Sequence, residues 1–315
     1  MPVLSDLSRL QALLDSPDAA VRRVAVRDAA DACAPELLPV LERALADAEP
    51  QVRLEAVTAL DALGGGEAVA PLILALGDAD EEVREEAAKA LAELNAPEGA
   101  PLLLQSLLRG GEPWTITALL EALKPLRHAA ALQPALELLR HAEAGVRAAA
   151  VGLIGYLRLP QPPPQLEQLS AADSSPTVRL AALRALVTAP AALKALGDTE
   201  WIIRAEAAAI LGRLRHAAAA DALTGLADFD PQWQVREQAV EALGSLQHKP
   251  AVAAIGRCLA APVSNLRKTA VLALGKIGDR SVRLLLATVR NDPDAQVRKL
   301  TAQLLEKLEQ DAEAG

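Results

Sequence analysis

The sequence predicts an all-α fold: an α-solenoid of about ten helix pairs stacked into a curved superhelix. Three observations carry that prediction. The first is composition. Of 315 residues, 51% are hydrophobic but only 2% are aromatic. A core almost without rings must be filled by Ala, Leu and Val, which suits closely packed helices and not a β-sandwich, whose strands favour aromatic and β-branched residues. The second is repetition. A β-branched residue or Leu recurs at Val21, Val52, Val83, Ile116, Val146, Val178, Ile203, Val235, Leu266 and Val297, at intervals of 31, 31, 33, 30, 32, 25, 32, 31 and 31 residues. The third is the period inside each unit. Counted from that residue, apolar side chains return at offsets 0, 4, 5, 7 or 8, and 11, as in VRLEAVTALDAL and VREQAVEALGSL, which is the stripe of a 3.6-residue helix.

The elements follow in order within each unit. A short apolar stretch comes first, such as APELLPVLERALAD in one unit and APLILALGD in the next, and supplies the first helix. A helix-start signal with Pro then opens the second helix: SPDAAVR, EPQVR, EPWTI, SPTVR, DPQWQVR and DPDAQVR in units one, two, four, six, eight and ten. Asp or Ser can accept the orphan N–H groups there, and Pro is tolerated because its missing donor is not needed in a first turn. Four residues after the Val-like position stands Ala in eight of ten units, small enough to let neighbouring helices approach closely. Each unit of about 31 residues is therefore read as one antiparallel helix pair.

The chain is expected to form a single solenoid over residues 1–310, followed by an acidic tail at 311–315, with no separate catalytic domain. Helix pairs spaced by about 8–10 Å would build a rod on the order of 90–100 Å long, its second helices lining the concave side. Two irregularities interrupt it: the Pro-rich stretch 159–164, which cannot be helical throughout, and the unit at Ile203, which is six residues short. A change of curvature is expected between units five and seven.

Read as helix–D-P-x-x-x-V-R-x-x-A-x-x-A-L–Gly, the unit resembles the short bacterial HEAT-like repeat of the phycobilisome-lyase type, over essentially the whole chain. The resemblance implies an armadillo-like α-solenoid. It leaves function open, because lyase subunits, scaffolds, adaptors and DNA-repair proteins share the repeat.

Several residue sets are candidates for function. Arg follows the Val-like residue in nine units: Arg22, Arg53, Arg84, Arg147, Arg179, Arg204, Arg236, Arg267 and Arg298, with Thr117 breaking the series. A residue demanded in every unit is read as a structural ladder, each Arg bonding an inter-helix Asp or a neighbour's carbonyl. Trp114, Trp201 and Trp233 share one register, two residues before the Val-like position. Trp201 and Trp233 are candidates for anchoring a partner, since Trp is enriched in binding hot spots. Offsets 2 and 6 place Ala118, Ala122, Ala148, Gly152, Leu180, Ala205 and Ala209 on a small apolar groove floor that would suit a partner's helix or extended segment.

Charge is uneven. Residues 1–100 carry 8 basic and 20 acidic side chains, whereas 246–300 carry 10 basic and 3 acidic, in a chain of net charge −9. Lys268, Arg280 and Arg283 in the basic stretch are candidates for capturing a charged partner. No aromatic residue interleaves with them, as a single-strand binder would want, so nucleic acid is not the expected partner.

Metal and cofactor chemistry are not expected. Deoxyhypusine hydroxylase, a HEAT-like enzyme, holds iron with His-Glu pairs, but His128, His141, His216 and His248 are followed by Ala, Ala, Ala and Lys. Cys33 and Cys258 are too few for a thiolate metal site and are read as buried thiols. No stretch approaches the roughly 18 apolar residues of a membrane span, and MPVLSDLSRL does not read as a signal peptide, so the expected location is the cytoplasm. The resulting expectation is a bacterial, non-enzymatic scaffold or adaptor that binds another protein, with no catalytic or metal site, no cofactor, and no small-molecule or membrane partner. The alternative, resting on the repeat's resemblance, is an accessory subunit of a phycobilin-lyase-like, chromophore-handling enzyme.

Overall fold

The computed structural model describes residues 2–32, 34–278 and 281–313, without the side chains of 2–6 and 311–313. Cys33 and Arg280 lie outside the described residues. Helices and short 3-10 turns account for the regular structure, and no strand occurs among the described residues. The chain falls into two compact units, Met1–Pro162 and Pro163–Gly315, divided within the Pro-rich stretch.

The first unit holds five helix pairs: α1 (Pro2–Leu14) and α2 (Ala19–Ala32), α3 (Leu38–Ala44) and α4 (Pro50–Leu63), α5 (Val69–Ala75) and α6 (Glu81–Glu93), α7 (Ala100–Arg109) and α8 (Pro113–Leu126), α9 (Leu132–Leu138) and α10 (Ala144–Tyr156). The second holds five more: α11 (Pro164–Ala172) and α12 (Pro176–Leu186), α13 (Ala189–Ala195) and α14 (Trp201–Arg213), α15 (Ala220–Phe229) and α16 (Trp233–Leu246), α17 (Val252–Cys258) and α18 (Ser264–Ile277), α19 (Val282–Ala287) and α20 (Ala295–Glu313). In the first unit each of α2, α4, α6, α8 and α10 packs on the next, and in the second α12, α14, α16, α18 and α20 do the same. This is an all-α solenoid arrangement.

The repeated residues make the core. Ala25, Ala56, Ala87, Ala150, Ala182, Ala207, Ala239 and Ala270, all at offset 4, are fully buried. The Val-like residues from Val52 to Val297 are buried too, each such side chain contributing roughly 1.5–3 kcal/mol. The second helices come closest where glycine replaces alanine: a Cβ on Gly244 would lie 2.8 Å from the Ala273 Cα, so α16 and α18 need a residue without a side chain there. The tenth unit departs from the pattern. Thr301 takes the alanine position, fully buried, and its Oγ1 has no hydrogen-bond partner among the described residues.

Second helices end in a left-handed residue. Gly64 and Gly278 serve at α4 and α18, but α8 ends on Arg127, α12 on Val187 and α16 on Gln247. Val187, at φ 45 and ψ 44, is the most strained choice, because a β-branched side chain crowds the backbone in this region. The short unit is explained here: α12 passes through Val187 and Thr188 directly into α13, without the 3-10 turn that precedes α3, α5, α7 and α9.

Candidate protein-interaction surface

The arginines following the Val-like residues stand in the first turns of the second helices, and eight of the nine are anchored by their own turn. Nη1 of Arg53 donates to the carbonyls of Asp47 (2.9 Å) and Ala48 (3.3 Å). Arg22, Arg84, Arg147, Arg204, Arg267 and Arg298 repeat this pair of bonds six and five residues back. The other edge of the guanidinium reaches the next helix pair. Nε and Nη2 of Arg53 grip the Asp78 carboxylate, both at 2.7 Å. Arg22–Asp47 (2.6 and 2.7 Å) is the rung before it, and Arg179–Asp198 (both 2.8 Å), Arg204–Asp230 (2.7 and 3.0 Å) and Arg267–Asp292 (2.7 and 2.8 Å) are rungs in the second unit. Bidentate geometry of this kind is the strong form of an ion pair.

The same aspartates cap the turn that follows them. Asp47, Asp78, Asp198, Asp230 and Asp292 each accept the backbone N–H two residues on. Hydrogen bonds from their arginines hold the Asp47, Asp78, Asp198 and Asp292 carboxyls below the usual carboxylate range, against the opposing effect of burial. A signal for these partners stands in the sequence: Asp precedes the ladder Arg by six residues at 47, 78, 173, 198, 230 and 292.

Where the sequence departs from this pattern, the rungs change. Thr117 has no guanidinium, and the residue that would have faced it is His141, whose Nδ1 accepts from Glu143 N at 3.1 Å in place of a carboxylate. Arg236 faces a stretch with Ala261 where others have Asp. It donates instead to the Ala227 carbonyl (3.1 Å) and to Cys258 Sγ (3.6 Å). Cys258 is fully buried, and that burial pushes its thiol up. Arg84 has no carboxylate either: its Cζ lies 6.0 Å from the ring centroid of Trp114, within cation–π range.

The expected groove floor needs correction. Ala118, Ala122 and Ala205 are buried, because α8 and α14 are packed by second helices on both sides, and offsets 2 and 6 turn into those contacts rather than to solvent. Ala148, Gly152, Leu180 and Ala209 are half-buried. At Gly152 the Lys124 side chain fills the space above the backbone, and Ala209 lines a cleft of about 190 Å³ with Arg213, Gln238 and Glu241. Trp201 opens α14 with 36% of its surface exposed, while Trp233, opening α16, is half-buried.

The basic stretch is also less available than its count suggests. Lys268 pairs with Asp294 at 3.2 Å and Arg283 with Glu309 at 3.0 Å, while Arg257 is held by Asp228 at 2.8 Å. These partners lie 26–29 residues away, and Asp228 and Glu309 fall outside the basic stretch. The four histidines are half-buried, and His128, His216 and His248 precede 3-10 turns. No metal-ligating cluster occurs among the described residues, and no helix among them is long and apolar enough to cross a membrane.

What remains exposed and apolar sits mostly near helix ends. In the first unit these include Leu74 (76%), Leu108 (65%) and Trp114 (39%); in the second, Trp201, Ile202, Phe229 (84%) and Leu284 (81%).

A family model described as HEAT repeats matches residues 7–92, 47–124, 100–187 and 226–306. Among solved structures, the karyopherin Kap121p bound to Ste12p is similar over 100% of this chain and 43% of its own, with a TM-score of 0.67 and 15% identity. Importin beta is similar over 95% of this chain and 50% of its own, at a TM-score of 0.61 and 16% identity. An engineered protein matches over 96% of this chain and 99% of its own, at a TM-score of 0.51 and 20% identity. At these identities the likeness is one of fold. No curated protein matches in sequence.

Proposed function

This chain belongs to the HEAT repeats, and from that premise we propose that it is a non-enzymatic, cytoplasmic scaffold or adaptor that binds another protein. The observation that carries the reading is how its side chains are spent. The recurring arginines and aspartates serve the helix-pair frame, whereas large apolar side chains are left exposed near the helix ends. Leu108, Trp114, Trp201, Ile202 and Phe229 are of the kind that anchor protein interfaces. Kap121p, similar in fold, holds Ste12p in its structure, and this supports reading the fold here as a protein-binding one.

Tagged protein captured from its native extract should bring down one protein in stoichiometric amount. The pair should re-form from purified components as a single species on size exclusion. A nucleic acid or a coloured compound recovered with no protein partner would overturn the reading.

A further inference from the structure

Five rungs show what fits the free edge of a ladder arginine: an aspartate carboxylate, gripped by Nε and Nη2 at 2.6–3.0 Å. Arg84 offers the same edge with nothing in it. Its Nη1 is anchored like the others, to the carbonyls of Asp78 (2.8 Å) and Ala79 (3.0 Å), so the guanidinium has lost a rung partner without losing its seat. Nε and Nη2 have no hydrogen-bond partner among the described residues. Counting explains the gap. Each rung's aspartate stands six residues before the next ladder position, and the residue six before Thr117 is Gly111. The rung's acid has become a glycine, which has no side chain to close the rung.

The neighbours of this open edge are suited to a partner. The Trp114 ring lies beside the guanidinium and is 39% exposed. Arg and Trp are the side chains most enriched among binding hot spots. The surrounding segment selects among anions: residues 1–100 carry 20 acidic side chains against 8 basic ones, a field that repels polyanions but leaves room for one carboxylate held at short range. We propose that Arg84, with Trp114, is a socket for an Asp or Glu side chain of the partner protein, flanked in that partner by an apolar residue that lies on Trp114. The partner completes the rung that the chain leaves open. This proposal rests on the scaffold reading above and names the chemistry of its contact.

The test uses a blocked peptide, acetyl-Leu-Asp-Leu-amide, with acetyl-Leu-Asn-Leu-amide and inorganic phosphate as controls, titrated into the full chain while the arginine Nε–H resonances are followed. The Arg84 signal should shift saturably with the Asp peptide. The Asn peptide should bind about tenfold more weakly, as loss of one charge-assisted contact implies. Arg84→Lys keeps the charge but not the fork and should lose the interaction; Arg84→Gln should lose it as well, with circular dichroism reporting that both remain helical.

Equal binding of the Asp and Asn peptides, tighter binding of phosphate, no shift at all, or wild-type behaviour of Arg84→Lys would each overturn the socket. Capture separates this outcome from the broader reading. A protein partner retained equally by wild type and Arg84→Lys leaves the scaffold standing and removes the socket. An Asp peptide seated on Arg84 in a protein that captures no partner does the reverse.

Discussion

Arg53 and Arg84 stand one unit apart, in the same register, each anchored through Nη1 to two carbonyls of its own turn. Arg53 spends its remaining donors on Asp78; Arg84 faces a position where the acid has become Gly111 and keeps only the Trp114 ring. The difference separates two uses of one side chain. A guanidinium closed by the next helix pair ties the pairs together and has no donors left for a ligand. A guanidinium anchored in the same way but left open contributes less to that tie and keeps its donors. In a repeat protein, then, the conformity of a residue reports on the frame, and its departure from the frame is the place to look for binding.

The comparison can be broken most forcefully at a buried rung. Arg267 and Asp292 are both under a tenth exposed, so Asp292→Ala, which strands the guanidinium and uncaps Asp294 N, should cost about 3 kcal/mol. Arg84→Ala, which strands no acid, should cost about 1 kcal/mol. Chemical denaturation of the two variants checks the ratio, and equal losses would contradict the distinction between closed and open rungs.

The pH dependence sharpens it. Asp47, Asp78, Asp198 and Asp292 are held below the usual carboxylate range by their arginines. Their stabilisation is therefore present above about pH 4, the unfolded aspartate value, and is lost as pH falls through the lower folded values. The Asp292→Ala penalty should shrink across that window, while the Arg84→Ala penalty stays nearly flat. A penalty at Asp292 that does not change with pH would mean the carboxylate charge is not what matters.

Smaller effects concern units that depart from the consensus at a cost. Thr301 buries an unpartnered hydroxyl where eight units have Ala, so Thr301→Ala should stabilise by about 1 kcal/mol. Val187→Gly should stabilise by roughly 0.5–1 kcal/mol, since the relief of left-handed strain exceeds the entropy glycine adds to the unfolded chain. Thermal melts read both, and a lowered melting temperature in either would refute the local account.

The fold was legible in the sequence because the signal is redundant. The Val-like residue, Arg at the next position and Ala at offset 4 recur often enough to set phase, helix and partner surface together. The ladder was half legible. The arginines announce themselves, but the closed ones are closed by an acid from the following helix pair, 25 residues away at Arg22, Arg53 and Arg267 and 19 at Arg179, a separation that no single-unit pattern displays. Part of the expected groove floor is closed for a geometric reason. Offsets 2 and 6 lie on the flank of a helix, and whether a flank is solvent or interface depends on neighbours on both sides, which bury Ala118, Ala122 and Ala205. The exposure of Phe229 and the ion pairs that occupy Lys268 and Arg283 are likewise properties of the packed units.

The most direct measurement is hydrogen exchange at the arginine Nε–H groups of the free protein. Arg53, Arg179, Arg204 and Arg267, each bonded through Nε to an aspartate, should exchange slowly, and Arg84 should exchange at the rate of an arginine open to water. An Arg84 Nε–H as protected as that of Arg53 would mean the third rung is closed after all.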